Sequence, residues 1–303
     1  MNILMSGSYH RAIERAVSAY AEKPFHITGV RENKASAMHD AAFFEGRFDF
    51  SGAPFCVFVK AGTNPYSFEQ FQAEARGLDY IRAHTPVKSP RVIGVEFENG
   101  TALLILEVIE TKKPQSKEDW EAMGRGLAAL HRVTSDSCGF DFSTYLGIFR
   151  QDNTRKSTWR EFYGECRLLD TMRIGLDWGK LNGDDVRLIE KLVARLPDVC
   201  PEPSCFSLLH GDPWVGNLLF DGRELVLIDC SLYYGNREID LTTVDFFCPV
   251  PEHFFDAYRE CFPIEDGFAE RADLWEINQW IGHVILYGDK YRPRLEQAIG
   301  KYL

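Results

Sequence analysis

The apolar positions along this chain change period several times. Near the N-terminus Tyr9, Ile13, Ala16, Val17 and Tyr20 recur at helical spacing, which predicts an amphipathic helix. Over residues 26–62 the apolar clusters become short, aromatic or β-branched, and separated by glycines, the pattern of a strand meander whose last run, 55–59, ends on Lys60. The helical period then returns: Phe68, Phe71, Ala75, Leu78 and Ile81 share one face, with Ser67 as the N-cap and Glu74 beside the stripe. "PRVIGVEFENGTALLILEVIE" reads as two strands joined through Asn99-Gly100, a pair suited to the left-handed turn of a tight hairpin. These elements make an antiparallel sheet with one main helix.

At "TKKPQSKEDWEAMGRGL" the pattern changes again. A Lys- and Pro-containing link leads to Ser116, with Asp119 three residues on, a capping pair that opens a helix with Trp120, Met123, Leu127, Leu130 and Val133 inward. A domain boundary is expected within 109–115, dividing the chain into 1–109 and 110–303. Beyond it the period is mostly helical, apart from two strands expected at 218–220 and 224–228 around Asp221-Gly222. The fold class read from this order is α+β, a β-rich N-lobe followed by an α-rich C-lobe, with no internal repeat and no low-complexity segment.

Composition narrows the class. The 303 residues, 45% of them hydrophobic, are enough for a large core and suit two lobes. A net charge of −11 argues against a basic track for nucleic acid and favours a small-molecule or protein partner. The eight cysteines show no C-x-x-C pair and no zinc-type spacing, so they read as reduced thiols, mostly buried. The first apolar run is too short for a signal peptide, and no later run is apolar enough to span a bilayer. The expectation is a cytoplasmic protein without membrane or nucleic-acid partners, a monomer being favoured.

The chemistry concentrates in "LLHGDPWVGNLLFDGRELVLIDCSLYYG", residues 208–235. A hairpin returns the chain to its starting end, so Asp212, Asn217 and Asp229 can converge. Asn217 and Asp229 offer oxygen ligands to a hard ion such as Mg2+, and Asp212 stays free to orient a nucleophile. This is the division of labour in phosphoryl transfer, and the five-residue step from Asp212 to Asn217 matches the H-R-D-x-x-x-x-N signature, with the metal-binding Asp after the hairpin. Lys60 at a strand end and Glu74 in the next helix supply the ion pair that holds the nucleotide phosphates. Singly, each residue has a plainer reading: Asp and Asn are common turn formers, and Lys60 and Glu74 are ordinary surface charges. The ordered set favours ATP-dependent chemistry.

"LLHGDPWVGN" and "IDCSLYYGNREIDL" together resemble the fructosamine kinase (ketosamine 3-kinase) family, within the aminoglycoside-phosphotransferase-like kinases. "FQAEARGL", "PRVIGV", "GRGLAALHR", "GFDFSTYLG", "WREFYGECRL" and "HVILYG" follow the family's order along nearly the whole chain. The resemblance implies a protein-kinase-like bilobal fold and ATP-dependent phosphorylation of the sugar 3-hydroxyl of a ketosamine, free or protein-bound, with deglycation as its role. It implies Asp212 as the base, Asn217 and Asp229 as Mg2+ ligands, and Lys60, Glu74 and Glu107 on the ATP side. Trp214 would face the sugar, with His283 and Tyr287 as further substrate residues. By the same resemblance Trp159, Phe162 and Arg167 pack the C-lobe. His210 is expected to brace the loop, and Asp240 to accept N–H bonds from it.

The chain departs from the family in three places. The phosphate-covering loop has Gly29 and no second glycine before Gly46, with Ala35, Ser36 and Ala37 as small residues for a tight turn. Cys230-Ser231 replaces a Pro-Ala after the metal Asp, and Pro213 and Val215 replace Leu and Ser. Two other readings compete: a kinase of another hydroxylated amine, such as an aminoglycoside or choline-like alcohol, and a non-catalytic ketosamine-binding protein.

Overall fold

The computed structural model describes residues 2–34, 38–49 and 52–303, so the tight turn expected at residues 35–37 lies outside the described residues. The chain packs as two compact units, Met1–Ala83 with Lys88–Lys112, and His84–Val87 with Lys113–Leu303. Among the described residues no helix is long and apolar enough to cross a membrane.

The first unit is built on α1 (His10–Ala21), β1 (Phe25–Glu32), β2 (Asp40–Phe48), β3 (Pro54–Gly62), α2 (Ser67–His84), β4 (Val92–Glu98) and β5 (Thr101–Glu107). The strands form one antiparallel sheet in the order β1-β2-β3-β5-β4. Ile13 and Val17 of α1 join Phe44, Val57, Val59, Leu103 and Ile105 in its core. Successive residues of β5 are buried, so both faces of that strand are covered and its sequence is unbroken apolar instead of alternating. Asn99 and Gly100 take φ values of 52° and 79°, the left-handed pair a type I′ turn needs.

Two details differ from the sequence reading. Ser67 is the first residue of α2 and not its cap; its Oγ is buried without a hydrogen-bond partner among the described residues. It is packed against the end of β3, where a Cβ on Gly62 would lie 2.5 Å from the hydroxyl. Gly29 sits within β1, at a bulge between Ile27 and Gly29, and so is outside the β1–β2 connection.

The second unit contains α3 (Lys117–His131), β6 (Thr134–Ser135), the hairpin of β7 (Thr144–Leu146) and β8 (Phe149–Gln151), then α4 (Trp159–Tyr163), α5 (Asp170–Asp177) and α6 (Gly183–Val199). β9 (Phe206–Leu209), β10 (Leu218–Phe220), β11 (Leu225–Leu227) and β12 (Tyr233–Gly235) precede α7 (Glu238–Phe246), α8 (Glu252–Cys261), α9 (Phe268–Tyr287) and α10 (Arg292–Gly300). α3 opens with a complete capping box: Ser116 Oγ accepts the Asp119 N–H at 3.2 Å, and the Asp119 carboxylate accepts the Ser116 N–H at 3.0 Å. β9 pairs with β12 on one side and β6 on the other.

Trp159, Phe162 and Arg167 are buried in this unit. The Arg167 guanidinium lies 4.0 Å from the Tyr233 ring centroid and donates to the Asp152 carbonyl. The β10–β11 connection is four residues, 221–224, and not the two-residue turn read from Asp221-Gly222. The Asp221 carboxylate accepts the N–H groups of Arg223 and Glu224 at 2.9 and 3.0 Å, which closes the wider turn and delays the second strand to Leu225. All eight cysteines are free thiols, and burial pushes the Cys166 thiol up to about 11 and Cys200 to about 12.

Candidate active site

The loop after β9 is held from three directions. Asp240, in the first turn of α7, accepts the His210 N–H at 2.6 Å and the Gly211 N–H at 3.0 Å. His210 Nε2 donates to the Ile228 carbonyl at 2.9 Å, and its Nδ1 accepts the Asp212 N–H at 3.2 Å, so the imidazole bridges the loop to the exit of the hairpin. The Ser231 N–H donates to the His210 carbonyl at 2.8 Å. Gly211 has φ 85° and lies against the Ser231 carbonyl, so a side chain there would be both strained and obstructed.

Behind Asp240 lies a buried relay that the sequence reading missed. His131 Nε2 donates to Asp240 at 3.1 Å, Tyr258 O–H donates to His131 Nδ1 at 2.8 Å, and Arg237 Nη1 donates to the Tyr258 oxygen at 3.1 Å. Burial lowers the pKa of both His131 and His210, which suits the neutral tautomers these bonds require. The only sequence signal was the His of "LAALHR" on the inward face of its helix; its partner is 109 residues away. Glu238 is also internal, paired with Arg271 and accepting the Trp275 indole N–H at 2.7 Å.

Asp212 and Asn217 meet directly. Asn217 Nδ2 donates to the Asp212 carbonyl at 2.9 Å and to its carboxylate at 3.1 Å, so it is the amide nitrogen that faces Asp212. Asn217 and Ile228 extend the β10–β11 ladder by one bond of 3.3 Å, and this places Asp229 at the same end of the ribbon. Asp229 has φ 56°, a conformation Asp tolerates better than most residues but which still stores strain, common where a side chain must be aimed. Burial, then the charges of Asp229 and Asp240, pushes the Asp212 carboxyl well above its usual range. Crowded carboxylates with one amide oxygen are a donor set that fits Mg2+, which takes one or two carboxylates and fills its other positions with water and phosphate.

The Cys230-Ser231 departure has a structural counterpart. Ser231 Oγ donates to Gln151 Oε1 at 2.6 Å, and Asn153 Nδ2 donates to Thr144 Oγ1 at 3.0 Å and to the Leu232 carbonyl at 3.3 Å. The segment after Asp229 is thus tied to β7, β8 and the chain just beyond them. Cys230 is buried.

In the first unit, Lys60 Nζ donates to Glu74 Oε1 at 2.7 Å, with both side chains nearly excluded from solvent at 8% and 11% exposure. Lys60 pairs with Leu104 across β3 and β5, while Glu107 stands three residues further along β5. The Glu107 carboxylate is in a solvent-exposed ion pair with Arg91 at 3.6 Å.

The three substrate candidates of the second unit join one aromatic row. Trp214 meets Phe247 edge to face at 5.6 Å; Phe247 lies 5.8 Å from His283, and His283 5.5 Å from Tyr287. Phe247, just past the end of α7, is the connecting ring and was not singled out in the sequence. Trp280 and Tyr291 complete the row around His283, and the signal for them was a helical step: positions 280, 283, 287 and 291.

Comparison with known proteins places these features. The fructosamine kinase family model matches residues 9–303. The protein-ribulosamine 3-kinase of Arabidopsis thaliana, a chloroplast protein, is 30% identical over 306 residues, covering 95% of this chain and 90% of that one. A Thermobifida fusca structure assigned as a fructosamine-3-kinase superposes with a TM-score of 0.79 at 30% identity, covering 96% of this chain and 98% of that one. The GDP complex of aminoglycoside 2′-phosphotransferase-IIIa shares the protein-kinase-like α+β fold at a TM-score of 0.60 and 10% identity, covering 97% and 99%.

Proposed function

This chain belongs to the fructosamine kinase family, and from that premise we propose that it transfers the γ-phosphate of ATP to the sugar 3-hydroxyl of ketosamines of the fructosamine or ribulosamine type. The observation that carries this reading is the Asp212 carboxylate, fixed by Asn217 Nδ2 within a loop that Asp240 and His210 hold rigid. Catalysis of phosphoryl transfer is chiefly positioning and charge stabilisation, and this loop supplies the positioning.

Asp212 accepts the proton of the attacking hydroxyl. Asn217 Oδ1 and Asp229 would hold Mg2+, which would supply neutralisation of the charge that develops on the phosphate oxygens. Lys60, oriented by Glu74, takes the nucleotide phosphates, with Glu107 also on the nucleotide side; residues 1–109 thereby serve ATP and residues 110–303 serve the sugar and the reaction. Trp214 offers its face to the sugar, with His283 and Tyr287 beyond it. Once O3 carries phosphate, the C1=C2 enaminol of the ketosamine expels it from C3, and the resulting imine hydrolyses to free the amine. That sequence makes the reaction a deglycation step.

The test is Mg2+-dependent ADP release with a fructosamine, a ribulosamine, an aminoglycoside, and no acceptor. Stimulation by the ketosamines is expected; stimulation by the aminoglycoside alone, or by nothing with a folded protein, refutes the assignment.

A further inference from the structure

The row that begins at Trp214 continues well past what a sugar needs. Phe247 is 52% exposed and Tyr287 54% exposed, although each ring packs at a tilt against His283 between them. Their inner edges are fixed: Phe246 wedges against Trp280 at 4.6 Å and against Phe247 at 4.9 Å, and His283 Nδ1 donates to the Gln279 carbonyl at 2.8 Å. At the far end the Lys290 ammonium lies 5.8 Å from the Tyr287 ring centroid and 4.9 Å from that of Tyr291. A rigid, half-exposed set of rings with a cation at its outer end begins two residues from the reacting carboxylate.

A ketosamine has two parts, the sugar and the amine carrier, and the sugar is the part that must reach Asp212. We propose that Phe247, Tyr287 and Lys290 form the subsite for the amine carrier, and that it takes the adduct of an apolar or aromatic amino acid at its α-amine. The inference rests on the ketosamine kinase reading. Three observations support it. The row is continuous with Trp214, so a carrier attached to a sugar there meets Phe247 first. The exposed rings offer apolar area to a side chain of the same kind. Lys290 supplies a charge for an α-carboxylate at the outer end of the row, while Glu276 accepts the Trp280 indole N–H at 3.1 Å and Asp289 pairs with Arg292 at 2.8 Å. An adduct on the ε-amine of a protein lysine would present neither group to these residues.

The experiment compares the fructose adducts of phenylalanine, glycine and phenylethylamine, by kcat/KM and by direct calorimetric binding, in wild type and in Phe247→Ala, Tyr287→Ala and Lys290→Glu. The phenylalanine adduct is expected to exceed glycine at least tenfold, by its ring, and phenylethylamine severalfold, by its carboxylate. Phe247→Ala and Tyr287→Ala should each narrow the first ratio, and Lys290→Glu should narrow or invert the second. Tyr287 and Lys290 are exposed, so those variants report even where Phe247→Ala disturbs Trp214. Equal treatment of the three carriers, or ratios that no variant moves, overturns the subsite. Carrier-selective binding without phosphorylation upholds it and refutes the kinase reading; phosphorylation without carrier selectivity does the reverse. Absence of both binding and turnover overturns the subsite as well.

Discussion

The loop around Asp212 and the aromatic row that leaves it at Trp214 belong to the same unit, yet they are held in opposite ways. The loop is fixed by buried hydrogen bonds: Asp240 on two N–H groups, His210 on both sides of the turn, and Asn217 on the carboxylate itself. The row is fixed by ring contacts at 5–6 Å, and two of its rings stand half in solvent. A buried polar network tolerates little change because every lost partner leaves an unpaired group, whereas an aromatic pair contributes about 0.5–1.5 kcal/mol beyond its area and is replaceable singly. On the proposed reading, reaction chemistry and acceptor choice are therefore separable in this molecule.

The sharpest way to break that comparison is at its centre. Asp212→Asn keeps the shape of the side chain and removes the proton acceptor, and turnover should fall about 10²–10⁴-fold with folding and nucleotide binding retained; near wild-type turnover in a steady-state assay would remove Asp212 from its role. Next in size is Lys60→Ala, which removes the ammonium paired at 2.7 Å with the largely buried Glu74 carboxylate and should cost about 3–5 kcal/mol in denaturant unfolding. The double variant Lys60→Met/Glu74→Leu should regain most of that stability but not nucleotide affinity, which separates structural from functional use of the pair.

Smaller effects probe the relay. His131→Ala should cost about 1–3 kcal/mol and lower kcat more than it raises the KM for ATP, because Asp240 loses a donor and the loop loses definition; His131→Gln, which keeps a donor, should recover part of kcat. A change in stability alone would reduce His131 to a core residue. The smallest effect is a pH slope. Burial lowers the folded-state pKa of His131 and His210, so below the unfolded value of about 6.5 the unfolded chain binds protons that the folded chain does not, and stability falls with pH. His131→Gln should flatten the Tm profile below that pH by one proton's worth of slope, and an unchanged profile would contradict the neutral, buried His131.

Legibility in the sequence followed the range of the interaction. The Asn99-Gly100 turn, the Ser116–Asp119 capping box and the spacing from His210 to Asn217 are local devices, and local chemistry specifies them. The loop-bracing expectation for Asp240 came with "NREIDL", one of the segments that carry the family resemblance, and Asp240 accepts the N–H groups of His210 and Gly211. His131, Tyr258 and Phe247 were not readable as site residues, since their partners lie 109, 127 and 33–36 residues away and only packing brings them together. Ser67 shows the converse failure: a good capping residue type was drawn into the helix by its fit against Gly62. The β10–β11 turn widened because the Asp221 side chain offered the backbone a better closure than a two-residue turn.

The most direct test of the central claim is the structure of the product. Incubated with ATP, Mg2+ and a fructosamine labelled with 13C at C3, the protein should yield a species whose C3 resonance shows coupling to 31P, followed by release of the free amine, with neither signal from Asp212→Asn. Phosphate on another carbon, or the same C3 coupling from Asp212→Asn at the wild-type rate, would contradict the account.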